Sequence, residues 1–184
     1  MKIVVDKLLN QVNLLTPTRH HDTRGYFAET YNQNVLSNNG IKENFVQDNH
    51  SLSLETGTVR GLHFQSPPYE QAKLIRCVNG SIFDVCVDIR KGSNTFGKWT
   101  GYTLTSKNGN QLYIPIGFAH GFMVLEPNSE IIYKCSNFYS PENEGVIFWN
   151  DPDINIQWPL QQNHIVNEKD KNAPLLKNLN NPFM

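Results

Sequence analysis

Val59-Arg60-Gly61-Leu62-His63-Phe64-Gln65 sets a guanidinium and an imidazole three residues apart inside an otherwise apolar, strand-like run. Taking such groups out of water costs free energy unless a partner compensates. Histidine also titrates near neutral pH, so this pair of residue types points to an anionic ligand and a proton transfer. The plainer alternative is a core histidine with a satisfied hydrogen bond, and what surrounds His63 must decide between the two.

The elements that would position such a pair are strands. From Ser81 to Arg90, Ile82, Asp84, Cys86, Asp88 and Arg90 alternate with Phe83, Val85, Val87 and Ile89, so one face is greasy and the other charged. Similar runs at 74–78, 111–115, 121–125 and 130–135 are separated by Asn79-Gly80, Lys107-Asn108-Gly109 and Glu126-Pro127-Asn128. Short strands at this spacing predict an all-β sandwich, jelly roll or barrel. Helix signals are brief, around 34–39 and 169–176. A small barrel with charged inner residues has room for one small molecule, which makes it a natural ligand mouth. Asp84, on the polar face of the longest strand, is a candidate to orient a histidine inside it.

The whole chain narrows the classes of function. Its 184 residues suit one domain, and a formal net charge of −1 gives no field that would hold nucleic acid or an acidic membrane. No stretch approaches the roughly 18 apolar residues of a membrane span, and the N-terminus lacks a signal-peptide core, so a cytoplasmic protein is expected. Cys77, Cys86 and Cys135 each sit in an apolar segment and read as buried thiols.

The spacing Gly57-x5-His63, followed by Gly109-x5-Pro115-x-Gly117-x2-His120, resembles the paired motifs of the cupin superfamily. Metal-binding cupins carry a second histidine two positions after the first. Gln65 holds that place here, although Glu70 and His120 keep ligand-like positions. An amide oxygen is a poor ligand for metals that favour imidazole, and Arg60 and Lys73 would repel a dication. No metal and no cofactor are expected, which leaves His63 free to act as a base.

A closer resemblance, to the dTDP-4-dehydrorhamnose 3,5-epimerases, rests on Asp22-Thr23-Arg24-Gly25-Tyr26-Phe27-Ala28-Glu29, Phe45-Val46-Gln47-Asp48-Asn49-His50-Ser51 and Arg60-Gly61-Leu62-His63-Phe64-Gln65. It continues through Lys73-Leu74-Ile75-Arg76, Ile114-Pro115-Ile116-Gly117-Phe118-Ala119-His120-Gly121-Phe122, Tyr133-Lys134-Cys135, Trp149-Asn150-Asp151-Pro152 and Lys169-Asp170. Asn94, where the family usually has proline, and Ile116 depart from the pattern. The resemblance implies an all-β, cupin-type double-stranded β-helix, a jelly-roll barrel with short peripheral helices, spanning residues 1–184 as one domain. It also implies inversion of the two carbons flanking the 4-keto group of a dTDP-linked 4-keto-6-deoxyhexose, without a cofactor. That chemistry needs a base on one face, an acid on the other and a cation for the enolate oxygen.

By the same resemblance His63 is the base, Asp170 its partner, Tyr133 the acid and Lys73 the enolate's cation. Arg24, Phe27, Glu29, Gln47, Asn49, Arg60, His120, Tyr139, Glu144 and Lys169 bind substrate, with Tyr139 stacking on the base and Arg60 facing the diphosphate. Read locally, Glu168-Lys169-Asp170-Lys171 is a solvated charge run and Tyr133 a core aromatic. The family's homodimers carry an N-terminal segment, here about residues 1–50, that reaches the neighbouring subunit, so Arg24 and Glu29 would complete either pocket. Competing readings are a single-carbon epimerase or ketoisomerase on another nucleotide sugar, a non-catalytic sugar-nucleotide-binding cupin, and a metal-dependent dioxygenase or isomerase.

Overall fold

The structure, a computed structural model, describes residues 1–183. In chain order it contains β1 (Lys2–Val5), β2 (Asn13–Thr16), β3 (His20–Asp22), β4 (Gly25–Phe27), α1 (Gln33–Asn38), β5 (Gln47–Ser53), β6 (Val59–Gln65) and β7 (Lys73–Asn79). There follow β8 (Ser81–Asp88), β9 (Trp99–Thr105), β10 (Gln111–Ile114), β11 (Phe118–Val124), β12 (Ser129–Cys135), β13 (Glu144–Val146) and α2 (Glu168–Lys171). A six-stranded sheet runs β1-β2-β10-β7-β12-β5, and a five-stranded sheet runs β13-β6-β11-β8-β9. All the strand pairs within them are antiparallel. The small β3-β4 ribbon stands apart from both.

Strand alternation sorts the side chains into layers. Ile75, Ile82, Cys86, Leu112, Phe122 and Ile131 meet between the two sheets. On the outside of the six-stranded sheet, Leu36 of α1 and Ile41 pack on Leu15, Leu74 and Tyr113. On the outside of the five-stranded sheet, Val85 and Val87 of β8 and Ile89 just beyond it lie under Ile147, Trp149, Ile154, Ile156 and Trp158. The greasy face of β8 thus turns away from the barrel interior, and a long C-terminal segment shields it. All three cysteines are buried free thiols.

The helix expected over 169–176 divides in two. One turn, α2, ends at Lys171 with Asn172 as its C-cap, and a separate 3-10 turn spans Leu176–Asn178. Pro174 explains the break, since it lacks an amide hydrogen and disfavours helical geometry at Ala173. No helix among the described residues is long and apolar enough to cross a membrane.

Candidate active site

Arg60 and His63 are an odd number of residues apart, and ordinary strand alternation would send them to opposite faces. A bulge prevents this. His63 pairs with His120 and Arg60 with Phe122, so three steps along β6 match two along β11. The extra residue brings both side chains to the interior face. Gly61 makes the bulge feasible: its φ is +121°, and a Cβ there would lie 2.6 Å from the Gly121 Cα and the His120 carbonyl oxygen.

His63 lines a cleft of about 360 Å3 together with Lys73 of β7 and Tyr133 of β12. Gln47 and Asn49 of β5, Gln65, Gln71, Tyr139 and Glu144 complete the polar lining. Behind His63 stands Asp170, with 0% exposure. Its Oδ1 accepts from His63 Nε2 at 2.8 Å and its Oδ2 from the Gly61 amide at 3.0 Å. Asn167 caps α2 by accepting from the Asp170 amide at 2.7 Å, which fixes the turn that delivers this carboxylate. The local charge-run reading of Asp170 is therefore corrected: the short helix docks on β6 and buries one of its acids.

Burial pushes Asp170 up, but the His63 ring, the Gly61 amide and Lys169 outweigh it and hold its carboxyl below the usual carboxylate range. An ionised Asp170 accepts the Nε2 proton, so the nitrogen left free as a base is Nδ1. Across the cleft, burial raises the Tyr133 phenol, with Cys135 and Glu144 adding and Arg60 opposing, so it stays protonated as an acid must. Lys73 stands cross-strand from Cys135. Burial lowers its ammonium from the usual value, against the pull of Cys135, Asp84 and Glu144. A desolvated cation at this place suits an oxyanion that forms only during reaction.

His120, paired with His63 across β6 and β11, is buried, and its Nε2 lies 2.7 Å from Asp84 Oδ1. Asp84 does orient a histidine inside the barrel, while its Oδ2 has no partner among the described residues. The Gln65 amide is bonded to the backbone, donating to the Tyr69 and Phe138 carbonyls and accepting from the Ser140 amide. Among the described residues no three His, Cys, Asp or Glu side chains gather as a metal-ligating group.

At the mouth, Tyr139 donates its hydroxyl to Glu144 Oε2 at 2.9 Å, and Lys169 donates to the same oxygen at 2.5 Å. Arg60, on the same face but outside the cleft's lining, donates to Leu52 O at 3.0 Å and Ser53 Oγ at 3.2 Å near the far end of β5. Three expected binding residues are not brought here. Arg24 pairs with Asp22 on the exposed β3-β4 ribbon, and Phe27 is 72% exposed. Phe27 and Glu29 border a different hollow of about 440 Å3, beside Arg76, Ile132 and Lys134. Those last three project from the outer face of the six-stranded sheet, so the thickness of the sheet separates Arg24, Phe27 and Glu29 from this chain's own cleft. Gln71, which lines the cleft, carried no signal in the sequence, because a loop glutamine belongs to no periodic pattern.

A jelly-roll barrel with a carboxylate-backed histidine, a half-buried lysine and a phenol around one cleft is a cupin-type barrel equipped for proton transfer. The chain belongs to the dTDP-4-dehydrorhamnose 3,5-epimerase family, whose model matches residues 6–178. A dTDP-4-dehydrorhamnose 3,5-epimerase of Shigella flexneri is 51% identical over 171 residues, covering 92% of this chain and 93% of the relative. A dTDP-6-deoxy-D-glucose-3,5-epimerase of Legionella pneumophila, solved in complex with dTDP-4-keto-L-rhamnose, superposes with a TM-score of 0.93 at 41% identity, covering 97% of this chain and 94% of that one. A dTDP-4-dehydrorhamnose 3,5-epimerase of Bacillus anthracis, solved with TDP and PPi bound, gives 0.91 at 44% identity, with 95% and 98% covered.

Proposed function

We propose that this isomerase epimerises carbons 3 and 5 of dTDP-4-dehydro-6-deoxy-D-glucose to give dTDP-4-dehydro-L-rhamnose, supplying dTDP-rhamnose for surface polysaccharide. The observation that carries the reading is the His63–Asp170 pair facing a cleft that Lys73 and Tyr133 also line. His63 Nδ1 takes a proton from a carbon next to the ketone, and the electron pair moves into an enolate whose oxygen Lys73 stabilises. Tyr133 returns a proton to the opposite face of that carbon, inverting it, and the same groups serve the second carbon. Asp170 holds the imidazole and offsets the charge it gains, so the reaction needs no electron acceptor. Gln47, Asn49, Arg60, His120, Tyr139, Glu144 and Lys169 bind the substrate, with the Tyr139 ring against the nucleobase.

Arg24, Phe27 and Glu29 then serve a partner's cleft. In this reading residues 1–184 form one epimerase domain and act in the cytoplasm as a homodimer, with the segment over about residues 1–50 reaching the second subunit. The exposed β3-β4 ribbon, which makes no use of its arginine inside its own cleft, supports that arrangement. Incubating the dTDP sugar with the protein in deuterated water tests the activity: deuterium is expected at both carbons. Label at one carbon alone would identify a single-carbon epimerase, and label at neither would remove the proposal.

A further inference from the structure

Gln65 stands on β6 two residues beyond His63, on the same face, and only 4% of it is exposed. Its amide is fully engaged, and most of that engagement goes to the chain around Tyr139. Nε2 donates to the Tyr69 carbonyl at 2.5 Å and to the Phe138 carbonyl at 3.1 Å, while Oε1 accepts from the Ser140 amide at 2.9 Å. One side chain therefore grips the residue before Tyr139 and the residue after it.

Two other glutamines take the remaining handles. Gln47 Oε1 accepts from the Tyr139 amide at 2.9 Å, and Gln71 Nε2 donates to the Asn137 carbonyl at 2.8 Å. Residues 137–140 thus hang from three side-chain amides, although this stretch belongs to no strand or helix and Tyr139 is 55% exposed. An exposed aromatic on a free loop would lose its mobility only on binding, at a cost in affinity. Tethers that fix the loop beforehand remove that cost. The residue type follows from the bonds made, since a carboxylate would confront two carbonyl oxygens without a proton to give them. An imidazole has too few donors and acceptors to serve all three groups.

We propose that Gln65 is the positioning residue of the nucleobase platform. Through the backbone on both sides of Tyr139 it sets the ring at a fixed distance from His63, so that a nucleotide stacked on one presents its sugar to the other. The inference rests on the reading of the cleft as a dTDP-sugar site. It gives a position that is a metal ligand in other cupin barrels a mechanical task in this one.

The test is a double-mutant cycle on the full chain, read by calorimetric titration with dTDP and by steady-state kinetics. Gln65→Glu is expected to raise the dTDP dissociation constant and KM about tenfold, the scale of one lost buried hydrogen bond, with kcat held within about threefold. In a Tyr139→Ala background the same change is expected to add less than about twofold, because the platform it supports is already gone. Unchanged dTDP affinity overturns the proposal. So does an effect that falls on kcat and adds in full to that of Tyr139→Ala, as a general structural role would. Should Gln65→Glu not fold, Gln65→Met, which removes the same bonds without adding a charge, carries the same cycle, with an expected single effect of about tenfold and the same criterion of non-additivity. Wild-type dTDP binding and deuterium uptake are measured first. Their failure sinks the reading of the site, whereas a fully additive cycle with both intact sinks only the role of Gln65.

Discussion

Asp84 and Asp88 leave the same face of β8 four residues apart, and both are entirely shielded from solvent. Their surroundings are opposite. Asp88 accepts from Arg90 Nε at 2.9 Å and Nη2 at 2.7 Å, from Ser93 Oγ at 2.5 Å and from Thr95 Oγ1 at 2.7 Å. Asp84 accepts from His120, and its second oxygen has no protein partner among the described residues. Where β8 runs into the turn that carries Asn94, a buried charge is saturated and the fold gains stability. Where it passes behind the cleft, a buried carboxyl receives one protein hydrogen bond, from His120, next to the groups proposed to react. The protein thus supplies every bond of one carboxylate and only part of those of the other, which lies beside the groups proposed to react.

Substitutions on each side should separate those two uses. The largest effect is expected in the cleft itself: His63→Asn should lower turnover about a thousandfold while dTDP affinity changes little, since the residues proposed to bind the nucleotide are others. Turnover within about tenfold of the parent would place the base elsewhere. Next comes Tyr133→Phe, which should cut product formation about a hundredfold yet still admit deuterium from solvent, because abstraction survives when the opposite-face donor is lost. An unchanged product-to-exchange ratio would contradict the division of labour between the two faces.

Asp84→Asn should reduce kcat about tenfold with less than about 1 kcal/mol lost in denaturant unfolding, since removing a poorly satisfied buried charge has offsetting terms. Asp88→Asn should show the reverse, with kcat unchanged and about 2 kcal/mol of stability lost at neutral pH. Burial raises the Asp88 carboxyl, but Arg90, Ser93 and Thr95 overcome this and bring it to about 2. A group depressed in the folded state stabilises above its unfolded value, near 3.8, and that contribution disappears as pH falls through the folded one. The stability curves of parent and variant should therefore converge between about pH 4 and pH 2. A constant gap over that range would show that the Asp88 contacts act through packing rather than charge.

Much of this architecture is legible in the sequence. Period two marks the strands of both sheets, and the turns between them fall where Gly, Asn and Pro cluster. The side to which β8 turns its greasy face is not, because alternation states that two faces differ and not which one is inside. The cover for Val85, Val87 and Ile89 comes from Trp149 and Trp158, far along the chain in segments without regular period. Asp170 is hidden for a related reason. A four-residue acidic and basic run looks solvated until a docking surface is known, and only its match to the family's motif gives it a place beside His63. His63 itself is visible, but the Nε2–Asp170 contact, which leaves Nδ1 for the proposed proton transfer, is a fact of geometry.

The bulge in β6 carries a consequence for how this strand tolerates change. Substitution at Gly61 would meet the backbone of β11, but a deletion there would act differently, by changing parity. With one residue fewer, β6 and β11 would pair step for step, and whichever of Arg60 and His63 lay on the shifted side would turn to the outer face. Two polar groups on a single strand can share one face of the sheet at odd spacing only if the strand miscounts once between them. In this protein the miscount is inherited along with the chemistry, and loss of one codon would silence a site whose every side chain was still present in the chain.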